Sequence, residues 1–183
     1  MRSSEADILI IPGLGNSGPG HWQTRWEAKL PTARRVELDD WDAPRRDAWV
    51  ERIIAAVDQA QRPVVIVAHS LGCVAVAHAA AAFPAGRVKG ALLVAPASAR
   101  SIDEVEAIDP SFAPLPIEPL PFPSLLIASQ TDSHASFAEA EEIAGLWGSL
   151  LLDAGDAGHL NVESGHGPWP EGLMRFAAFL ARL

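Results

Sequence analysis

The chain has 183 residues, of which 49% are hydrophobic and 20% are charged, and its formal net charge is -9. This length and balance predict one folded domain over residues 1–183 with a substantial buried core. The acidic balance, with acids and bases scattered along the chain, argues against nucleic acid or an anionic membrane as a partner.

The N-terminus predicts a protein of the cytoplasm. The segment MRSSEADILIIPG has acids before a short apolar run and lacks a signal-peptide core. Cys73 is the only cysteine, so no intramolecular disulfide can form. No local metal-binding pattern such as H-E-x-x-H occurs, and we expect neither a metal nor another cofactor.

Buried-strand patterns alternate with helical patterns along the chain. Continuous apolar strands separated by helices are typical of α/β proteins, so we expect a mostly parallel sheet with helices on both faces. The predicted strands cover residues 7–11, 35–38, 64–68, 89–97, 123–129 and 149–153, and the predicted helices cover residues 23–30, 45–61, 73–83, 137–147 and 171–183.

The apolar stretch VVIVAHSLGCVAVAHAAAAF, residues 64–83, is long enough to cross a bilayer. Its first half is β-branched and its second half is rich in alanine, which instead predicts a strand, a sharp turn and a helix. Ser70 falls on the turn. The sequence AHSLG is close to the G-x-S-x-G nucleophile elbow, with Ala68 in place of the first glycine. The alternative role for Ser70 is a simple helix cap, but the strand–turn–helix context favours a nucleophile.

A serine nucleophile needs an oriented base and an acid that holds the base. In α/β-hydrolases these partners follow the serine in the order Asp, His, on loops beyond later strands. Asp132 follows the predicted strand 123–129, and His159 follows the predicted strand 149–153. The sequence therefore predicts Ser70, Asp132 and His159 as a catalytic triad, with His166 as the alternative base.

Other acids and histidines have simpler interpretations. Asp153 and Asp156 lie at a strand end and its turn, where a solvated role is expected. His134 is loop surface or a pocket wall. We expect His69 to point away from the serine because of the turn, and His78 to be buried or half-buried on its helix.

The segment GLGNSG, residues 13–18, has two interpretations. It matches the dinucleotide-binding pattern G-x-G-x-x-G, with acids near the end of the next strand. However, Pro19 and Gly20 oppose the helix that should begin there. In a hydrolase, the backbone amides of Leu14 and Leu71 would instead form an oxyanion hole, worth roughly 3 kcal/mol per donor. The oxyanion loop is the favoured interpretation.

Several segments together resemble a known family: PGLGNSGPGHWQTRWE, DDWDAP, VAHSLGC, LPFPSLLIASQTD and AGHLNVESGHGPWPEG. They are similar to the small serine hydrolases grouped with retinoblastoma-binding protein nine and the bacterial YdeN proteins. The resemblance implies a compact α/β-hydrolase with Ser70, Asp132 and His159 as the triad, and hydrolase or esterase chemistry. The chain departs from the family at Ala68, and at Ser133-His134, where the family often has a proline.

Residues 96–123 are the only stretch long enough to cover the site, and they are too few for a large cap domain. We therefore expect an open, shallow site for small or short-chain acyl groups. His21, Trp22 and His134 are candidates for its wall. Trp22 and Trp26 lie one helical turn apart, a spacing more typical of core residues.

The sequence thus predicts a serine hydrolase, specifically an esterase that acts on small-molecule esters through an acyl-enzyme intermediate. Two alternatives come from other classes of protein. One is a non-catalytic binding module on the same scaffold, since a fold does not determine function. The other is a dinucleotide-binding oxidoreductase that uses the GLGNSG loop. No motif identifies a protein partner.

Overall fold

The buried apolar runs form the strands of a single sheet. The computed structural model describes residues 1–183. All neighbouring strands are parallel, and their order is β2-β1-β3-β4-β5-β6. The predicted α/β class is confirmed, with a sheet that is parallel throughout. The strands are β1 (Asp7–Ile11), β2 (Ala33–Arg35), β3 (Val64–His69), β4 (Val88–Val94), β5 (Ser124–Ala128) and β6 (Leu150–Asp153).

Six α-helices accompany the strands. They are α1 (Trp22–Lys29), α2 (Arg46–Asp58), α3 (Leu71–Ala79), α4 (Ala99–Glu104), α5 (Phe137–Trp147) and α6 (Pro170–Leu180). The sequence determines both ends of α5, where Ser136 and Glu139 form a capping box and Gly148 ends the helix at φ 64°. A helix with the length and apolar character needed to cross a membrane is not found.

Side chains alternate between the two faces of the sheet and form two apolar cores. One cluster of 34 buried residues includes Leu9 and Ile66 and packs beneath α2, α3 and α5. The other cluster of 17 includes Ile8 and Val65 and packs beneath α1 and α6. Because neighbours along one strand belong to opposite clusters, the strands read as continuous apolar runs. The expected helices on both faces are therefore present.

Two elements differ from the sequence-based predictions. The second strand was predicted over residues 35–38 but covers Ala33–Arg35. The Val36 N–H still donates to the Ile10 carbonyl, after which the chain leaves the sheet, so its later apolar residues are buried without pairing. The short helix α4 was not predicted because its sequence, ARSIDE, is too brief to show an apolar face. Ser98 caps it, because the Ser98 hydroxyl accepts a hydrogen bond from the Ser101 N–H.

The strand order reverses between β1 and β3, which creates a crevice at the carboxyl edge of the sheet. The chain proceeds from β1 to β2 on one side and from β3 to β4 on the other. In open α/β sheets, ligands bind at such a reversal. The loops that follow β1, β3, β5 and β6 carry Leu14, Ser70, Asp132 and His159. The predicted site residues therefore converge on one edge.

Helix α3 begins almost in contact with the end of β1. A Cβ atom at Gly72 would lie 2.6 Å from the Ile11 carbonyl oxygen and still closer to the carbonyl oxygen of Pro12. These are backbone atoms, which cannot move aside without shifting the strand end. The second glycine of the elbow sequence is thus required by the space between β1 and α3.

We expect Gly72→Ala to destabilise the protein by about 3 kcal/mol, because the added methyl group overlaps backbone atoms. The matched control is Gly145→Ala in α5, where no atom lies within 4 Å of the new Cβ. That change should stabilise the protein by up to about 1 kcal/mol, since alanine favours a helix over glycine. Urea unfolding measures both effects. Equal midpoints for Gly72→Ala and the native protein would contradict the close approach of α3 to β1.

Candidate active site

Ser70 has a strained backbone at the junction of β3 and α3. Its φ is 54° and its ψ is -127°, a conformation that residues other than glycine rarely adopt. The Ser70 N–H donates to the Val94 carbonyl oxygen, which anchors the turn to β4. The Ser70 side chain makes no capping hydrogen bond to α3. The simple helix-cap role is therefore not the one that this hydroxyl has.

The Ser70 hydroxyl instead belongs to a chain of three side chains. Its Oγ lies 2.9 Å from His159 Nε2. On the other side of the ring, His159 Nδ1 lies 2.9 Å and 3.0 Å from the two carboxylate oxygens of Asp132. With a neutral imidazole, Nδ1–H donates to the carboxylate and Nε2 accepts from the hydroxyl. The Asp132 side chain is only 2% exposed.

The rival acids and bases lie elsewhere. The Nδ1 of His166 is 3.2 Å from Ser164 Oγ, and its ring packs on Trp169. Asp153 accepts hydrogen bonds from the Gln130 side chain and the Gly155 N–H, which is the turn role expected for it. Ser70 is thus brought together with His159 and not with His166.

The glycine-rich loop after β1 lies directly against the elbow. A Cβ atom at Gly13 would be 2.9 Å from Ser70 Cβ and 3.3 Å from the Leu71 nitrogen. Leu14 and Leu71 both border the same cavity. Neither backbone amide donates a hydrogen bond within the protein.

The largely buried side chain of Arg35 anchors this loop through hydrogen bonds. Its guanidinium donates to the Asn16 side chain, to the Ser17 carbonyl at 2.9 Å and to the Thr24 hydroxyl at 2.6 Å, and it pairs with Glu27 at 3.2 Å. The side chain is only 11% exposed. Asn16 has φ 64°, so the contact with Arg35 holds the loop where its backbone is strained.

The segment His21-Trp22-Gln23 connects this loop to the rest of the site. His21 Nδ1 accepts the Gln23 N–H and so caps α1. Trp22 Nε1–H donates to the Leu160 carbonyl at 2.9 Å, next to His159. The Gln23 amide donates to the Ile11 and Val67 carbonyls at 3.2 Å each. The Ser17 hydroxyl in the glycine-rich loop donates to Gln23 Oε1 at 2.6 Å. Trp22 thereby supports the His159 loop, and Gln23 supports the glycine-rich loop and the strands β1 and β3.

The structure places only two of the three candidate residues for the pocket wall at the cavity. His21 and His134 border the cavity. Trp22 does not: it is fully buried, and its ring packs edge-on against Trp26 and Trp169. Of the two interpretations of Trp22, pocket wall and core residue, the structure has the core residue that the helical spacing favoured, because the indole packs in the core beneath α1 and α6, and Trp22 is not a pocket residue. Its indole N–H contributes to the site only through the backbone of the His159 loop.

His69, which was expected to point away from the serine, borders the cavity. Its Nε2 lies 2.9 Å from the His159 carbonyl oxygen, to which it donates as a neutral ring. Its ring centroid is 4.8 Å from that of His159. The residue before the nucleophile thus positions the backbone of the residue that contacts the nucleophile. The sequence shows only that His69 lies at the end of a strand, one residue before the turn. This local information could not reveal its contact with the His159 backbone.

The imidazoles around His159 form a continuous row. His134 packs on His159 with a centroid distance of 4.3 Å, and His69 lies 4.9 Å from His21. Burial lowers the pKa of His69 well below its ordinary value, and burial also lowers the pKa of His134. Burial, with the Arg35 cation and the His159 ring, lowers the pKa of His21 to about 4.

This row does not have the geometry of a metal site, since no three histidine, cysteine or acidic side chains are placed to hold an ion. His78 lies apart from the row. It is half-buried on α3, as predicted, with its Nε2 3.4 Å from the Phe112 carbonyl.

The cavity above Ser70 has a volume of about 330 Å³. One wall is apolar and comes from the segment after β4, with Ala97, Val105 and Ile108. The opposite side carries histidines and, at the rim, Glu163. The segment over residues 96–123 contributes a wall rather than a separate lid domain, as its length predicted. The cavity can enclose a small acyl group beside the Ser70 hydroxyl.

Cys73, the second residue after the elbow leucine, is also part of this region. Its thiol is fully buried, and Sγ lies 3.5 Å from the same Val94 carbonyl that accepts the Ser70 N–H. Burial raises the pKa of the thiol, so it remains protonated and unreactive.

Comparisons with known proteins identify the family of this chain. The serine hydrolase family matches residues 8–178. A YdeN-like hydrolase from Pectobacterium atrosepticum is 35% identical over 97% of this chain and 91% of its own, with a TM-score of 0.84. The ydeN gene product of Bacillus subtilis is 21% identical over 96% of this chain and 99% of its own, with a TM-score of 0.79.

More distant similarity concerns the fold alone. The esterase domain of a Rhodothermus marinus protein is 16% identical over 88% of this chain and 81% of its own, with a TM-score of 0.67. A comparison with curated proteins finds no match. Because the family match extends over almost the whole sequence and the Pectobacterium hydrolase shares both sequence and fold, this chain belongs to the serine hydrolase family.

Proposed function

We propose that this hydrolase is an esterase that cleaves small or short-chain acyl esters through a covalent acyl-enzyme. The observation that carries the proposal is the continuous hydrogen-bonded chain from Ser70 Oγ through His159 to Asp132. These three side chains place a nucleophile and a base within hydrogen-bond reach of each other, and a third group orients the base. Nucleophilic catalysis requires this geometry.

In the proposed reaction, His159 Nε2 takes the Ser70 hydroxyl proton as Oγ attacks the ester carbonyl carbon. Asp132 accepts the His159 Nδ1–H, which holds the ring in the required tautomer and stabilises its charged form. His159 then gives the proton to the leaving alcohol. Water enters, loses a proton to His159 and attacks the acyl-enzyme, which releases the acid and restores the Ser70 hydroxyl.

The free amides of Leu14 and Leu71 are the proposed oxyanion donors. They support the reaction because they are backbone groups held in place before substrate binds, so little reorganisation is needed as negative charge develops. The Leu71 amide is also at the N-terminus of α3, where the helix dipole favours a negative charge. The Leu14 amide depends on the loop that Arg35 anchors.

The two alternatives have weaker support. For a dinucleotide site, a helix should begin at the end of the glycine-rich loop and point its N-terminus at the pyrophosphate. Here α1 begins only at Trp22, and His21 occupies its cap. For a non-catalytic binding module, the strained backbone of Ser70 and its contact with His159 would have no use.

Reaction with a fluorophosphonate tests the nucleophile and its base. We expect rapid covalent labelling of the native protein at Ser70, located by peptide mass mapping. Ser70→Ala and His159→Ala should each lose labelling and lower the esterase kcat by a factor of at least about 1,000, since each removes a member of a unit.

The matched control is His166→Ala, which removes a histidine of the same chain that lies outside the Ser70 cavity. It should label at the native rate. A His159→Ala variant that labels normally, or a His166→Ala variant that does not, would refute His159 as the base.

The size of the cavity predicts the substrate range. We expect p-nitrophenyl acetate and butyrate to be hydrolysed with a kcat/KM at least about ten times that for the decanoate and longer esters, because a cavity of about 330 Å³ encloses only a short chain. Steady-state kinetics across the ester series measures this preference. A kcat/KM that rises steadily to long chains would contradict the short-chain assignment.

A further inference from the structure

His21 is a buried polar residue that the proposed reaction does not use. Only 6% of its surface is exposed, and the residue borders the cavity above Ser70. Its ring lies 4.9 Å from that of His69, which in turn lies 4.8 Å from the ring of His159. His21 is therefore within the group of side chains that surround a bound ester.

The hydrogen bonds of His21 determine which ring nitrogen carries the proton. Nδ1 accepts the Gln23 N–H, so it has no hydrogen of its own and the neutral ring carries its proton on Nε2. This Nε2–H has no acceptor in the protein. Arg35 Nε is the only side-chain nitrogen or oxygen that is both buried and without a hydrogen-bond partner. The unpaired Nε2 of His21 is therefore accessible to solvent. Because His21 borders the cavity above Ser70, this accessible nitrogen can reach a molecule bound there.

We infer that His21 is a positioning residue for the substrate, and that its Nε2–H donates a hydrogen bond to a second oxygen of the ester close to the reacting carbonyl. This inference rests on the proposed esterase function. The chemical class it selects is a short ester with an ether or keto oxygen within a few bonds of the carbonyl carbon. A purely hydrocarbon ester would leave the donor unpaired in a largely desolvated site.

The neutral state of His21 supports this role. Burial, the Arg35 guanidinium from β2 and the His159 ring lower its pKa to about 4, and the neighbouring rings of His69 and Trp22 are uncharged at neutral pH. A neutral donor is constant across the pH range in which a serine esterase works. It also adds no positive charge that would oppose protonation of His159.

The test uses His21→Asn. The Oδ1 of asparagine occupies about the position of Nδ1 and can keep the cap on α1, while its side chain is too short to place a donor where Nε2–H was. His166→Asn is the matched control outside the cavity. His21→Ser, another good cap, serves if the asparagine variant does not fold.

Two pairs of nearly isosteric esters provide the readout. The acyl pair is p-nitrophenyl butyrate and p-nitrophenyl methoxyacetate, and the alcohol pair is n-butyl acetate and 2-methoxyethyl acetate. The ratio of kcat/KM within a pair is compared between each variant and the native protein, because this comparison cancels the intrinsic reactivity of the ether ester. In His21→Asn we expect the ratio that favours the ether ester to fall about five- to tenfold in one of the pairs, the loss of one hydrogen bond.

The outcomes separate this inference from the function on which it rests. Native protein that neither labels with fluorophosphonate nor cleaves any of the esters would overturn both. A His21→Asn variant that labels at Ser70 but keeps the native ratio in both pairs would overturn the role of His21 alone. An equal fall in the His166→Asn control would do the same.

Acid unfolding checks the neutral state separately. As pH falls from about 6.5 towards 4, a histidine at position 21 takes up a proton in the unfolded chain before it does so in the folded protein, so folding stability is lost over that window. The melting temperature of the native protein should therefore fall more between pH 7 and pH 5 than that of His21→Asn. The other buried histidines are present in both proteins and cancel. Equal falls would mean that the pKa of His21 is the same in the folded and the unfolded protein, and would overturn its role as a donor that stays neutral as the pH falls.

Discussion

The left-handed backbone of Ser70 is the constraint on which the site depends. A strand that ends in this conformation turns directly into a helix, and its side chain is left on the outside of the turn, above the edge of the sheet. The turn persists because its N–H is tied to Val94 and because the helix that follows it is pressed against the end of β1 at Gly72. The surrounding packing thus supplies the free energy that keeps a local strain in place.

The same close contact explains how the glycine-rich loop after β1 reaches the serine. Since β1 and β3 are adjacent and parallel, the loop after β1 emerges beside the turn after β3. Gly13 permits the approach, and the buried Arg35 cation limits how far the loop can move. A buried guanidinium is costly to desolvate. Arg35 offsets that cost because its hydrogen bonds and its ion pair are all made with residues of the loop or of α1. Its polar contacts hold the loop in one shape.

Much of this architecture could be predicted from the sequence, for a definite reason. Strand ends in a parallel sheet all lie at one edge, so the positions of Asp132 and His159 after later strands were enough to bring them near Ser70. The roles of His21, Trp22 and Gln23 could not be predicted in this way. Trp22 bonds a residue 138 positions away, and Gln23 bonds one 44 positions away. Such partners become visible only when the chain has folded.

The places where prediction failed share a cause. Trp22 was a candidate for the pocket with a spacing that favoured the core, and His69 was expected only to point away from the serine. Both expectations came from local geometry, whereas each side chain is placed by a backbone carbonyl of the His159 loop. The difference between the predicted and the observed bounds of β2 has the same cause. The last backbone pairing of β2 is set by the Ile10 carbonyl rather than by the apolar residues of β2 itself. Long-range hydrogen bonds to backbone oxygens, absent from any periodic pattern, decided all three.

The buried thiol of Cys73 has a practical consequence for watching this enzyme at work. The chain has no other cysteine, and this one is sealed behind the elbow in a protonated state. A cysteine introduced on the rim, for instance by Val162→Cys at a side chain that is 51% exposed, would be the sole target for a maleimide dye. A fluorophore could then report from the mouth of the cavity without any prior removal of native thiols.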